Sequence, residues 1–377
     1  MLLTLHNIAF YLMGKGLLDS ETIVRGEWTV HNRSARNQNF ATNFGFDHHR
    51  YLVKQARGFD REKTDSLRIE ATCYWLANND EQYSALQRFL PRYYDFDQMH
   101  SILVTELMAD MENLLDFFLR TSRWGELSIA KRLGELLASY HSQLDDRLRD
   151  SRSFALFQKQ KPWIFTLVQQ DAPPENALPA ERNAERQLLD LISRNTELKK
   201  MVAEVESLWQ TSSLFHGDVK FNNFLIRYDP ELATQPDIRL IDWELADVGD
   251  PLWDVAAVFS AYLAQWVQEQ AFAQQGDHHP LTLASIQPAM AAFWATYCKE
   301  MSYNGDLTTQ ALMKATRFLG VKLIYSCFEN TQKAEYLSPF VAKMLQVAFN
   351  VLKSPERAVA DLIGIPFKEI KTGGIGN

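Results

Sequence analysis

The sequence contains few cysteines, and their arrangement excludes several classes of protein. Cys73, Cys298 and Cys327 are the only three in 377 residues, so their number is odd and they lie far apart. This spacing matches neither a disulfide framework nor a zinc-binding motif. We therefore expect reduced, buried cysteines in a cytoplasmic protein.

The chain also lacks an excess of positive charge and a long apolar run. Its 39 Lys and Arg residues are outnumbered by 47 Asp and Glu residues, which gives a formal net charge of −8. This balance argues against electrostatic binding of nucleic acid. It would suit a cationic substrate, but solubility explains it equally well. No apolar run reaches the ~20 residues that a membrane helix needs, so we expect no membrane association.

The apolar N-terminal stretch, MLLTLHNIAFYLMGKGLL, lacks the marks of a signal peptide. It is interrupted by His6 and Asn7, and it has neither a basic start nor a small-residue cleavage site. Apolar residues recur at helical spacing between Leu2 and Met13. This periodicity predicts an amphipathic helix that packs on the fold.

The most informative stretch lies between residues 215 and 254, where FHGDVKFNNFLI is followed by a polar spacer and RLIDWELADVGDPLWD. Two short aliphatic runs, at 225–226 and 240–241, flank turn-forming residues and predict a β-hairpin. Asn223 comes directly before the first strand and Asp242 directly after the second. A hairpin would therefore bring these two oxygen ligands to the same end.

Asp218 lies in the loop that leads into this hairpin. A carboxylate that can accept a proton, beside an amide and a carboxylate that can hold a hard cation, suits magnesium-dependent phosphoryl transfer. His216, Asp218 and Asn223 also have the H-x-D-x-x-x-x-N spacing of the catalytic loop in protein-kinase-like enzymes. Three fixed residues alone are a weak signal.

The residues that follow make the signal specific. Residues 240–244 (LIDWE) and 249–254 (GDPLWD) resemble two blocks of the aminoglycoside phosphotransferase and choline kinase family. The resemblance implies a bilobal, protein-kinase-like α+β fold. Its small N-terminal lobe would hold a five-stranded antiparallel sheet and one key helix, and its larger lobe would be mostly helical. We place the nucleotide-binding lobe at 1–107, and the lobe with the catalytic loop and acceptor site at 108–377.

The resemblance also implies ATP as the phosphoryl donor and Mg²⁺ as the cofactor, held by Asn223 and Asp242. Asp218 would accept or orient the proton of the acceptor hydroxyl. Lys220 would contact the γ-phosphate, although a solvated loop lysine is the alternative. His216 is interpreted as a scaffold residue that hydrogen-bonds the loop backbone.

A lysine in a predicted strand provides the expected phosphate contact in the smaller lobe. Lys54 lies near the end of the run RYLVKQ and would hold the α- and β-phosphates. Glu70 lies in a helical pattern over residues 65–76 and is its expected partner. Glu62 and Glu81 are alternative partners.

The loop expected to cover the phosphates has no glycine-rich pattern. Between the predicted strands around residues 28–30 and 40–44, the chain offers Ser34, Arg36 and Asn37 instead. Arg36 can pair with phosphate oxygens directly. A solvated hairpin loop explains the same residues equally well.

The hinge that would hold the adenine is predicted at residues 105–108, after strands in LPRYYDFD and HSILVTELM. Glu106 and Met108 would offer backbone groups to the base. Glu244 and Asp247 are candidates to face the acceptor, whereas Asp250 and Asp254 are assigned structural roles.

The acceptor itself is open. We expect an alcohol group on a small molecule. Phosphorylation of Ser or Thr in a peptide, for example a precursor peptide, is an alternative within the same chemistry. A non-catalytic nucleotide-binding scaffold is the alternative from another class, supported only by the missing glycine loop.

Overall fold

The computed structural model describes residues 1–33, 38–44, 50–56, 60–142, 155–171, 183–232, 234–272, 281–332 and 334–366. The predicted phosphate-loop residues Ser34, Arg36 and Asn37 lie outside this part of the chain. The protein forms two units. The first comprises residues 1–122, 139–159 and 212–248, and the second comprises 123–138, 160–211 and 249–377.

The first unit contains a five-stranded antiparallel sheet in the order β1-β2-β3-β5-β4. Its strands are β1 (Trp28–Asn32), β2 (Gln38–Phe44), β3 (Tyr51–Gln55), β4 (Tyr93–Asp97) and β5 (Ile102–Glu106). Tyr51, Val53 and Gln55 are buried, and the residues between them are less so, as expected for a strand with one face on a core. The sheet confirms the predicted α+β class.

The N-terminal helix is shorter than the periodicity predicted. Helix α1 spans Ile8–Gly14, and Leu2 lies outside it with its side chain half exposed. Asn7 explains the late start, because its amide donates to Leu2 O at 2.8 Å and its Oδ1 accepts from Thr4 N at 2.7 Å. These bonds close a turn where the helix was expected. A short helix α2 (Ser20–Val24) follows.

Helix α3 extends over Arg61–Asn79 and begins at the Asp60 N-cap, which accepts from Lys63 N at 3.2 Å. It is therefore longer than the predicted 65–76. Glu70 lies on its buried face with 2% exposure. A 3₁₀ segment, Glu81–Phe89, connects α3 to β4.

The predicted hairpin is confirmed. Strands β8 (Phe224–Arg227) and β9 (Asp237–Leu240) pair antiparallel, with Phe224 opposite Leu240. Two further pairings were not predicted. Strand β6 (Glu112–Asn113) pairs with β8, and β7 (Ser213–Phe215) pairs with β10 (Asp247–Gly249).

The remaining elements are helical, in agreement with the prediction of a mostly helical larger lobe. The helices after the sheet are α4 (Leu114–Thr121), α5 (Leu127–Ala138), α6 (Trp163–Gln169), α7 (Asn183–Ser193), α8 (Thr196–Ser207), α9 (Leu252–Phe272), α10 (Leu283–Glu300), α11 (Gly305–Thr331), α12 (Pro339–Lys353) and α13 (Pro355–Ala358). A π-helical turn, Val359–Ile363, follows. Among the described helices, none has the length and apolarity to cross a membrane.

Asp250 organises the start of α9 within the second unit. Its Oδ1 accepts from Leu252 N at 3.2 Å, and its Oδ2 accepts from Gln210 N at 3.0 Å. Lys314 on α11 neutralises it, with Nζ 2.5 Å from Oδ2. Asp250 is 1% exposed, and burial raises its pKa although Lys314 opposes this shift. The carboxylate therefore has the structural role that the sequence suggested.

We expect Asp250→Ala to destabilise the protein by about 3 kcal/mol, because it removes a helix cap and leaves a partly buried ammonium without its partner. The shift in the urea unfolding midpoint would measure this.

Asp361→Ala is the matched control. Asp361 forms an exposed pair with Arg357, whose contribution to stability is small. Equal stability of the two variants would contradict the role assigned to Asp250.

Candidate active site

The hairpin brings Asn223 and Asp242 together at one end. Beyond the last strand pair, Ile241 N donates to Asn223 O at 3.0 Å, so the ladder continues to the residues flanking both strands. Both residues therefore lie at the same end of the hairpin, as the sequence predicted.

Asp242 has a backbone conformation that is unusual for a residue with a side chain. Its φ and ψ are 69° and 54°, in the left-handed region, which Asp tolerates better than most residues. Non-glycine residues in this region cluster at functional sites. Burial raises the Asp242 pKa, but the charge and hydrogen bond of Lys54 outweigh it and hold the pKa below its usual value. The Asp242 carboxylate is therefore ionised at neutral pH.

Lys54 lies between two carboxylates. Its Nζ is 2.8 Å from Glu70 Oε1, 3.1 Å from Glu70 Oε2 and 3.2 Å from Asp242 Oδ1. Glu70 is thus its partner on α3, rather than Glu62 or Glu81. Burial lowers the Lys54 pKa, but the two carboxylates more than compensate, so the ammonium stays charged. One cation thereby joins β3, α3 and the end of the hairpin.

Asp218 is held by two donors on one oxygen. Lys220 Nζ lies 2.7 Å from Asp218 Oδ2, and Asn223 Nδ2 lies 3.0 Å from the same atom. In the described part of the chain, the side-chain hydrogen bonds of Asp218 all use Oδ2, which leaves Oδ1 to accept from a hydroxyl. Those of Asn223 all use its amide nitrogen, which leaves its Oδ1 to ligate a cation.

His216 connects the two loops as a neutral ring. Its Nε2 lies 3.0 Å from Ile241 O, an acceptor, so Nε2 carries the proton. Its Nδ1 then accepts from Asp218 N at 3.2 Å. Trp243 packs against the ring edge-to-face at 4.7 Å and is fully buried. These contacts agree with the scaffold role expected for His216.

Gly217 is a site residue that the sequence reasoning missed. Its φ is +83°, and a Cβ there would lie 2.4 Å from Leu245 O. Glycine is therefore required for both conformation and space, because it lets the Asp218 loop approach the segment after Asp242. The sequence shows that Gly217 lies between His216 and Asp218, but it does not show that the Leu245 carbonyl approaches it.

The two residues predicted to face the acceptor, Asp247 and Glu244, lie in different environments. Asp247 Oδ1 accepts from Lys159 N at 2.9 Å and from Val248 N at 2.7 Å, so this carboxylate supports local backbone. Glu244 lies half-buried in the 3₁₀ turn Trp243–Leu245.

The hinge residues form a short backbone edge. Glu106 N donates to Arg92 O and Leu107 N donates to Arg50 O, each at 2.8 Å. Within the described residues the Met108 N–H has no such partner, so it can donate to a base. The Glu106 side chain accepts from Arg92 N at 3.2 Å.

The donor set at the hairpin end fits Mg²⁺. In the described ranges, no group of three or more His, Cys, Asp or Glu side chains is arranged to hold a metal ion. Mg²⁺ bound with a nucleotide needs only one or two protein oxygens, because phosphates and water complete its shell. The Asp242 carboxylate and Asn223 Oδ1 meet that requirement.

Solved structures share the fold of this chain. Ethanolamine kinase of Plasmodium vivax is 14% identical with a TM-score of 0.55, over 93% of this chain and 88% of that one. Choline kinase of Cryptosporidium parvum Iowa II is also 14% identical, with a TM-score of 0.55, over 94% and 97%. APH(2")-IIia, solved with GDP and kanamycin, is 12% identical with a TM-score of 0.54, over 94% and 99%. These neighbours have the protein-kinase-like fold that the motifs implied.

No curated protein sequence shows a significant match to the chain. The sequence profile described as the phosphotransferase enzyme family, APH, matches residues 27–283, which include both halves of the site described above. The chain belongs to this phosphotransferase family.

Proposed function

We propose that the protein transfers the γ-phosphoryl group of ATP to an alcohol group of a small molecule, with Mg²⁺ as cofactor. The observation that carries the proposal is the position of Lys54 between Glu70 and Asp242. A charged lysine held beside a carboxylate that can bind Mg²⁺ is the arrangement by which kinases bind the phosphates of a nucleoside triphosphate. The lobe boundary proposed at 107–108 would then fall within the hinge.

Each residue near the hairpin has a distinct role in this proposal. Lys54 holds the α- and β-phosphates, and Asn223 and Asp242 hold Mg²⁺, which would neutralise charge on the phosphates. Met108 N–H, with Glu106 beside it, would hold the nucleobase edge. Ser34, Arg36 and Asn37 lie outside the described residues, and we retain them as the predicted phosphate-covering residues in place of a glycine-rich loop.

Asp218 would act on the acceptor. Because Lys220 and Asn223 both contact Oδ2, the other carboxylate oxygen can take a hydrogen bond from the acceptor hydroxyl and orient it toward phosphorus. Lys220 lies 43% exposed beside this group and would meet the γ-phosphate as charge develops there. This lysine also suits the second candidate, transfer to Ser or Thr of a peptide.

We expect Mg²⁺-dependent ATP consumption that rises when one hydroxyl compound in a panel is present. The panel should contain choline, ethanolamine, kanamycin and Ser- and Thr-containing peptides, because the structural neighbours include kinases and a kanamycin complex. Phosphorus NMR would identify the product. Nucleotide binding without transfer to any hydroxyl compound would favour a scaffold instead.

We expect Asp218→Asn to lower kcat at least about 100-fold with little change in ATP binding, since it alters the group that faces the hydroxyl. Asp242→Asn should weaken Mg²⁺–ATP binding as well, because it removes the charged ligand. Steady-state kinetics and calorimetric ATP titrations would measure both effects.

Asp229→Asn, in the exposed hairpin turn, is the control and should behave as the wild type. Near-normal turnover of Asp218→Asn would disprove the role of Asp218.

We expect Gly217→Ala to reduce kcat about 100-fold, because the new Cβ must displace either the Asp218 loop or the Leu245 carbonyl. Gly14→Ala is the control, since a Cβ there meets nothing within 4 Å. Kinetics and thermal unfolding should be measured together. Unchanged kcat in the Gly217 variant would show that the two loops tolerate separation.

A further inference from the structure

Four charged side chains form a continuous chain of ion pairs at the end of the hairpin opposite to Asn223 and Asp242. Arg227 contacts Asp110 through Nη1, and its Nη2 lies 2.7 Å from Asp237 Oδ2. Arg239 contacts the other oxygen of Asp237. We call Asp110, Arg227, Asp237 and Arg239 the charge chain.

The charge chain connects segments that are distant in sequence. Asp110 lies between the hinge and β6, which pairs with β8. Arg227 and Asp237 face each other as the last pair of the hairpin. At the other end, Arg239 Nη1 donates to Arg88 O at 2.7 Å. Arg88 belongs to the 3₁₀ segment that follows α3, the helix that carries Glu70.

The three connected segments contain or adjoin the parts of the proposed site. The hairpin ends in Asn223 and Asp242. The other two segments adjoin the hinge, which would offer the nucleobase contacts, and α3, which carries Glu70. Strands β8 and β9 are four residues each, so only four residue pairs separate the Arg227 end of the ladder from the end that carries Asn223 and Asp242.

The geometry of the charge chain suits a role in orienting the hairpin more than a role in stabilising the folded protein. Arg227 and Asp110 are 53% and 55% exposed, so an isolated pair of this kind would contribute little to folding. Arg227, however, contacts two carboxylates, Arg239 contacts Asp237 and the Arg88 carbonyl, and Asp237 and Arg239 are only 24% and 21% exposed. Because Arg227 uses Nη1 for one carboxylate and Nη2 for the other, its planar guanidinium fixes the direction of both contacts at once.

We propose that Arg227 and Arg239 are positioning residues that set the hairpin at the correct distance from the hinge, so that Asn223 and Asp242 meet the Mg²⁺ of a nucleotide whose base the hinge holds. This inference rests on the proposed function. It adds that the Mg²⁺-dependent part of nucleotide binding depends on charges that touch neither the metal nor the nucleotide.

The test compares binding of a fluorescent ATP analogue, mant-ATP, with and without Mg²⁺ in the full-length protein. We expect Arg227→Gln to reduce the gain in affinity that Mg²⁺ provides by about fivefold at low salt. Binding without Mg²⁺ should stay unchanged. At ~1 M salt the wild type should lose the same gain, because the screening length is then about 3 Å.

Arg120→Gln is the matched control. Arg120 pairs with Glu112 on the same segment at similar exposure, but it is not a member of the charge chain. It should keep the wild-type gain at low salt. Arg239→Gln should reproduce the effect of Arg227→Gln, and Asp110→Asn combined with Arg227→Gln should be no worse than Arg227→Gln alone.

A full Mg²⁺ gain in both Arg227→Gln and Arg239→Gln at low salt would overturn the inference. An equal loss of binding with and without Mg²⁺ would also overturn it, since it would indicate general destabilisation. If the wild type itself showed no Mg²⁺-dependent binding, the proposed function would fail, and this inference with it.

Discussion

The candidate site depends on one buried cation. Lys54 lies on β3, yet its ammonium contacts Glu70 on α3 and Asp242 at the end of the hairpin. Glu70 has a side chain only 3% exposed, so its charge is stable there only with a partner. Burial raises the Glu70 pKa, and Lys54 opposes that shift. The sheet, the helix and the hairpin of the first unit are therefore joined by the same charge that would meet the phosphates.

A second layer of contacts fixes the acids that flank this cation. His216 links the loop before Asp218 to the carbonyl before Asp242, and the buried Trp243 packs on its ring. Gly217 permits the close approach that these bonds need. These contacts thus join the loops that carry Asp218 and Asp242, an arrangement that suits a reaction that depends mainly on positioning.

The family and the fold leave the acceptor open. An ethanolamine kinase, a choline kinase and a phosphotransferase solved with kanamycin share the kinase-like fold of this chain, and each is only 12–14% identical to it in sequence. Function depends on the chemistry of the individual site and not on the fold. In this chain Lys220 pairs with Asp218, so under the proposed function the environment of the acceptor hydroxyl would include a positive charge. That charge is a property on which acceptor screening can be based.

The sequence by itself determined the local elements and the chemistry they carry. Aliphatic runs around turn residues specified the hairpin, and its two ends specified where Asn223 and Asp242 would meet. Only the tertiary structure decided that Glu70 is the Lys54 partner instead of Glu62 or Glu81, that Gly217 faces Leu245, and that Arg227 reaches Asp110. Local periodicity depends on neighbours within a few residues, whereas these contacts join residues 16 to 117 positions apart and depend on how the elements pack.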